Sequence, residues 1–301
     1  THNHDLALSG GGEKALYRFS VNYQSQQGVT RGTGLDKLNT RLNLDYFISD
    51  KLRLRANFSY SHGMSEWNYD HRDLRGIAYR KMPNMAVYEH NIDGEKTPNY
   101  FSPDDNIQGN YPSTYNPVAM TEFGEYNTSN DRINTNFNLD YDIVKGLKYQ
   151  LNLSFDIKNT KKKWFLPQGA TGLHWTNLDV NRATDSDEDR YSIYTNNKLV
   201  YTNTFADIHD FTATINIQTN DYKGVAFQAT TANSASSDLR DPSVPARIKE
   251  GGLGLSSGSW QTRDNGIMGL VHYKLLDRYI VTAGFRREGN SKFDKKYRYS
   301  Y

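Results

Sequence analysis

The chain has 301 residues, 36 basic against 34 acidic for a net charge of +2, and no cysteine. Disulfides and thiolate metal sites are therefore excluded, and so balanced a charge leaves no footprint for nucleic acid. Hydrophobic residues make up 36%, and no run approaches the roughly 18 apolar residues that a membrane helix needs, which excludes a helical membrane protein.

In chain order, Thr1 to Asp5 is polar and Leu6 to Leu8 is too short for the apolar stretch of a secretion signal, so a signal is expected to have been removed or to lie upstream. Strands are predicted near 4–9 and 16–24. Next comes the clearest signal of the chain. Leu38, Thr40, Leu42, Leu44 and Tyr46 interleave with Asn39, Arg41, Asn43 and Asp45, so one face is apolar and the other polar. The pattern returns at Leu52, Leu54, Ala56, Phe58 and Tyr60 against Arg53, Arg55, Asn57 and Ser59.

Between 62 and 131 the alternation stops, and a stretch this long is expected to carry elements of its own. Asp70 is placed to cap a helix running to Arg80, with Leu74, Ile77 and Ala78 on one stripe and Pro83 ending it. Alternation resumes over 132–143 and 146–158, then over 191–201, 208–219, 260–274 and 278–288, for about ten strands with 38–47 and 51–61. At ~3.3 Å per residue and a tilt near 40°, about ten residues span roughly 25 Å, the height of the apolar band of an outer-membrane barrel.

Connection lengths alternate. Short ones fall at 10–14, 48–50, 144–145, 202–207 and 275–277, and long ones at 25–37, 62–131, 159–190 and 220–259. Outer-membrane barrels have tight periplasmic turns and long extracellular loops, whereas soluble sandwiches have no reason to sort loops by parity. The first strand then runs inward from the cell surface. Because a complete barrel begins and ends on the periplasmic side, at least one strand is expected beyond each end. Tyr46, Tyr60, Tyr141, Tyr191, Tyr201, Tyr273 and Tyr279 lie near strand ends, where a ring with a polar tip suits the membrane interface. The fold class is an all-β, antiparallel transmembrane β-barrel segment with long extracellular loops.

Several residue groups are candidates for chemistry. Arg41, Asp45, Arg53, Arg55, Asp140, Asp142, Asp156 and Lys158 fall on the polar face, as lumen scaffolding or as the lining of a path; Leu42, Leu44, Phe137, Leu139, Leu151 and Leu153 fall on the lipid face. Trp67, Tyr69, Trp164, Trp175 and Trp260 lie in or beside long loops, where flat rings can stack on sugars or contact a lid protein. Asp185, Asp187 and Asp189 form a weak Ca²⁺ candidate, without the glycine and distal glutamate of an EF-hand, and are read first as a solvated loop tip. His2 and His4 share a face but lack a third ligand. Gly251 to Gly254 precedes no helix and no Gly-Lys-Ser/Thr, so it reads as a turn rather than a phosphate loop. No paired carboxylates or Ser-His-Asp spacing stand out. No enzyme and no cofactor are expected.

Particular residues also resemble a known family. Ser9-Gly10-Gly11 with Glu13-Lys14, Tyr17 and Gln27-Gly28 is similar to a first hairpin, and Arg41-Leu42-Asn43-Leu44-Asp45 to the strand after it. Pro83, Val87-Tyr88, Asp93-Gly94 and Asn116-Pro117-Val118-Ala119 resemble a large extracellular insertion. Asp277-Arg278-Tyr279 and the run from Phe285 to Phe293 resemble a block that usually reads R-D-G-S-S-x-F, with Glu288 and Asn290 replacing Asp and Ser. In this order the motifs resemble the SusC/RagA-like TonB-dependent outer-membrane transporters of Bacteroidetes, across nearly the whole chain.

That resemblance implies a 22-stranded barrel with an amino-terminal plug, a SusD-like surface lipoprotein as lid, and energy from the TonB complex. Residues 1–301 then correspond to part of the barrel domain, with 62–131 as its large extracellular loop, and with the plug, the TonB box and the remaining strands outside it. The function implied is import of a nutrient, glycan first and peptide second, with outer-membrane lipid around the wall and no nucleic acid. Two alternatives stay open: a structural or adhesive barrel without energised transport, and a soluble carbohydrate-binding β protein.

Overall fold

A computed structural model describes residues 1–68, 74–101, 116–171, 180–242 and 254–300. Alternating sequence becomes one antiparallel sheet of eleven strands. They are β1 (His2–Gly11), β2 (Ala15–Gln27), β3 (Gly34–Ser49), β4 (Leu52–Trp67), β7 (Glu125–Val144), β8 (Leu147–Leu166), β9 (Arg182–Phe205), β10 (His209–Thr231), β11 (Gly254–Leu275), β12 (Tyr279–Asn290) and β13 (Tyr299–Ser300). Each pairs with its neighbours in chain order, apart from a separate hairpin of β5 (Tyr88–His90) and β6 (Lys96–Tyr100) between β4 and β7. Among the described residues the sheet does not close on itself.

The register sorts the side chains as the alternation requires. Leu42 pairs with Phe19 and Phe58, Leu139 with Leu54 and Leu151, and Phe137 with Ala56 and Leu153, so these residues form one continuous apolar face. A single-layer sheet has nothing to cover that face, and Leu42, Phe58 and Phe137 stay exposed, as lipid contact requires. Tyr46, Tyr141, Tyr149, Tyr201, Tyr273 and Tyr279 mark the inner margin of this face, next to the tight turns. At its outer margin the Tyr60 hydroxyl donates to Asp131 (2.7 Å), which also meets His62 Nδ1 at 2.8 Å.

Inner connections are short, and two of them, 206–208 and 276–278, are three-residue turns whose first two residues have positive φ: Ala206 and Asp207 (51° and 56°), and Leu276 and Asp277 (54° and 56°). That conformation matches the right-handed twist of the flanking strands. The outer connections differ from expectation because the strands run past the apolar band. β4 extends to Trp67 and β7 starts at Glu125, so the stretch expected over 62–131 contracts at both ends; β8 reaches Leu166, β9 starts at Arg182, and β10 reaches Thr231. The apolar signal ends at the membrane margin, whereas the backbone ladder continues in water wherever cross-strand polar pairs support it. Asp185 to Asp189 is accordingly part of β9, and not a loop tip. Lys163 Nζ lies 3.4 Å from Asp185, and Asn159 donates to both Asp187 (2.8 Å) and Asp189 (2.7 Å).

Tight apolar packing is concentrated in the outer connections. Helix α1 (Leu74–Arg80) buries Leu74 and Ile77 against Met120 of α2 (Pro117–Phe123), while Ala78, expected on the same stripe, is exposed. Asp70, the expected cap, lies outside the described residues. A second cluster joins Tyr100, Ala119, Leu166 and Ala170, the last from the short helix α3 (Gln168–Thr171). Asn116 ties the two together. Its side-chain oxygen accepts from Val118 N and Ala119 N at the start of α2, and its amide donates to Val87 O (2.8 Å) and Phe101 O (2.9 Å). The outer connections thus form a packed cap on an otherwise coreless wall.

Candidate functional site

The polar face carries two cross-strand rows of interest. The lower one is a single line of register partners across nine strands: Asp5, Asn22, Asn39, Ser61, Arg132, Lys158, Arg190, Gly224 and Trp260. Short polar side chains link its first members. Ser61 donates to Asn39 (2.8 Å), Asn39 to Asn22 (3.1 Å), and Asn22 to Asp5 (2.6 Å) and Asn3 (2.8 Å). Around this row β1 to β4, β7 and β8 line a concavity of about 1020 Å³.

Six residues further out lies the second row, Trp67, Tyr126, Trp164 and Thr184. Tyr126 and Trp164 stack with centroids 5.0 Å apart and planes 16° apart, an offset-stacking distance for aromatic rings. Trp67 occupies the neighbouring position on β4, opposite Tyr126. Trp260 belongs to the lower row, where its indole lies across Gly224 and meets Tyr222 at 4.6 Å between centroids. Any Cβ on Gly224 would sit 2.1 Å from the indole Cζ2.

The predicted polar set shares this face. Arg53 binds Asp45 through two nitrogens, one at 2.7 Å; Arg55 meets Asp140 at 2.5 Å; Arg132 meets Asp156 at 2.9 and 2.6 Å. These pairs join adjacent strands and hold side chains in fixed directions. Arg41 stands opposite Ser20 and Ser59.

Trp67 and Trp164, expected within long loops, are therefore strand residues held by backbone register, as is Trp260, expected at a strand start beside one. Tyr69 and Trp175 lie outside the described residues, as do Gly251 to Leu253. The aspartates suggested for Ca²⁺ sit on the apolar-face side of β9 with Lys163 and Asn159 as partners, and among the described residues no three His, Cys, Asp or Glu side chains converge to hold a metal. Sequence reading did not single out Tyr126 or Tyr222, and named Asn116 within the insertion motif and not as a helix cap. For Tyr126 and Tyr222 only register could have revealed the role, whereas Asn116-Pro117 is itself a helix-start signal.

No protein-family model matches the chain. It is 24% identical over 297 residues to the TonB-dependent receptor P39 of Formosa agariphila, covering 96% of this chain and 26% of that protein. It is 22% identical over 313 residues to the TonB-dependent receptor SusC of Bacteroides thetaiotaomicron, covering 99% of this chain and 30% of that protein. The structure of the RagAB peptide transporter superposes with a TM-score of 0.71 at 16% identity, over 99% of this chain and 33% of that one. The chain is similar to the SusC/RagA-like outer-membrane transporters and has the fold of their barrel wall.

It spans less than a third of the length of these two curated relatives. The SusC/RagA-like wall accounts for both faces at once. Its apolar face meets lipid and its long connections lie outside the cell. Those relatives are receptors and transporters.

Proposed function

We propose that this chain is part of the barrel domain of an active nutrient importer, with its polar face toward the lumen, 62–131 within the extracellular side, and an oligosaccharide as cargo. The observation that carries the proposal is the aromatic row of Trp67, Tyr126 and Trp164 directly above a polar concavity. Stacked rings offer flat apolar faces to the C–H faces of sugars, and the serine and asparagine lining offers hydrogen bonds to their hydroxyls. Trp260 supplies a further flat face at the level of Lys158.

The importer acts with partners. A SusD-like surface lipoprotein closes over the packed cap, and the TonB complex opens a plug held within the complete barrel. The chain's own groups bind and orient cargo and carry out no bond chemistry, so the protein is not an enzyme. Among similar proteins RagAB is a peptide transporter, which makes peptide the second reading.

The test is growth and uptake. A strain lacking the gene is supplied with defined oligosaccharides and with defined peptides, beside a strain lacking TonB. Loss of uptake of one oligosaccharide class in both strains is the expected result. Loss of peptide uptake alone would establish the second reading, and unchanged uptake of everything would leave a structural barrel.

A further inference from the structure

Several cations of the polar face are held in ion pairs, and others near the concavity are not. Arg53, Arg55, Arg132 and Arg190 each hold a carboxylate, from Asp45, Asp140, Asp156 and Glu188. Arg18, Lys37, Arg41 and Lys158 hold none among the described residues, and all four line the 1020 Å³ concavity. The lining thus contains five cations, counting Arg132, against the single carboxylate of Asp5, which already accepts from Asn22 and Asn3.

The placement is more than a local excess. Arg41 and Lys158 stand on β3 and β8, with β4 and β7 between, so they flank a strip roughly 14 Å wide at ~4.8 Å per strand. Within that strip the lining from β4 and β7 is mainly hydroxyl and amide, from Ser59, Ser61, Ser65, Asn130 and Asn134, with Arg132 already bound to Asp156. Like charges gathered without counterions repel one another, at a cost that grows as water is displaced. A passing anion relieves that repulsion, as rings of Arg and Lys do in anion-selective pores. The aromatic row stands at the strip's outer end.

We infer that the cargo is an anionic oligosaccharide, carrying carboxylate or sulfate groups, and that Arg18, Lys37, Arg41 and Lys158 are its specificity-determining residues. The inference rests on the importer reading and narrows it to one class of substrate. Attraction of this kind weakens with salt, because the groups face a water-filled space.

The test uses the complete gene product containing this chain, purified in detergent. Binding of four probes of equal length is measured by calorimetry at low and high salt: a neutral oligoglucan, an oligouronate, a sulfated oligogalactan and an oligoglutamate peptide. At low salt one or both acidic glycans should bind at least about tenfold tighter than the neutral glycan, with the gap closing at high salt. Whichever of the two binds tighter identifies carboxylate or sulfate as the recognised group.

In the triple variant Arg18→Gln, Arg41→Gln, Lys158→Gln that preference should disappear while barrel content by circular dichroism stays unchanged. Equal or tighter binding of the neutral glycan overturns the inference and leaves the importer reading standing. So does tighter binding of oligoglutamate, or a variant that loses stability yet keeps the preference. Absence of binding to all four probes overturns both.

Discussion

Tyr126 and Trp164 stack across adjacent strands with 5.0 Å between ring centroids, although 38 positions of sequence, counted from their numbers, separate them. Only the β7–β8 register brings them together. Replacing Trp164 by Ala removes one ring of the row and exposes the other, and affinity for the proposed oligosaccharide cargo should fall about tenfold. Trp164→Phe should keep most of it. Calorimetric titration of both variants is the check.

The two faces of β8 make opposite demands. Leu153 belongs to the lipid face and Asn152 to the polar face, one residue apart. Leu153→Arg should destabilise the inserted barrel by roughly 2–4 kcal/mol, as for other cations near the bilayer midplane, and Asn152→Arg by far less. Reversible urea unfolding of the complete protein in lipid vesicles measures the difference.

The alternation that specifies these faces was legible because lipid and water impose opposite chemistry on neighbouring residues. Leu38 to Tyr46 shows it without any structure. Above the membrane both faces of a strand are wet, so the signal fades while the strand continues. That is why Lys161 to Lys163 and Asp185 to Asp189 read as loop, when in fact Lys163 pairs with Asp185 across β8 and β9. Trp67 and Trp164 were recognisable as candidates by residue type. Their placement in one row with Tyr126 needed three strands in register, which no local pattern contains.

Gly224 has a steric role. The indole of Trp260 covers it, and the contact with Tyr222 depends on that closeness. Gly224→Ala should displace the indole, weaken oligosaccharide binding and shift tryptophan emission to the red, without unfolding the sheet. A crystal structure of the variant with the indole unmoved would contradict this account.

The cap should respond to alkali. The Glu122 carboxylate accepts a hydrogen bond from the Tyr100 phenol, which together with burial holds the phenol above its ordinary value of 10.0. A group whose folded pKa is raised contributes stability that is complete below the unfolded pKa and is lost as pH rises through the folded one. Hydrogen exchange in α2, expressed as a protection factor so that base catalysis is divided out, should therefore stay slow up to about pH 10 and accelerate above it. In Tyr100→Phe the tyrosine-linked part of that acceleration should vanish, with exchange already faster at neutral pH.

The central claim is that alternate residues of each strand face lipid and water, and the absence of cysteine from the chain makes it directly measurable. Single cysteines are placed at each position from 150 to 157 of β8, labelled with a spin probe, and exposed to a water-soluble and a lipid-soluble relaxing agent. Positions 151, 153, 155 and 157 should respond to the lipid-soluble agent, and 150, 152, 154 and 156 to the water-soluble one. Equal response at successive positions, or an alternation of the opposite phase, would contradict the wall described here.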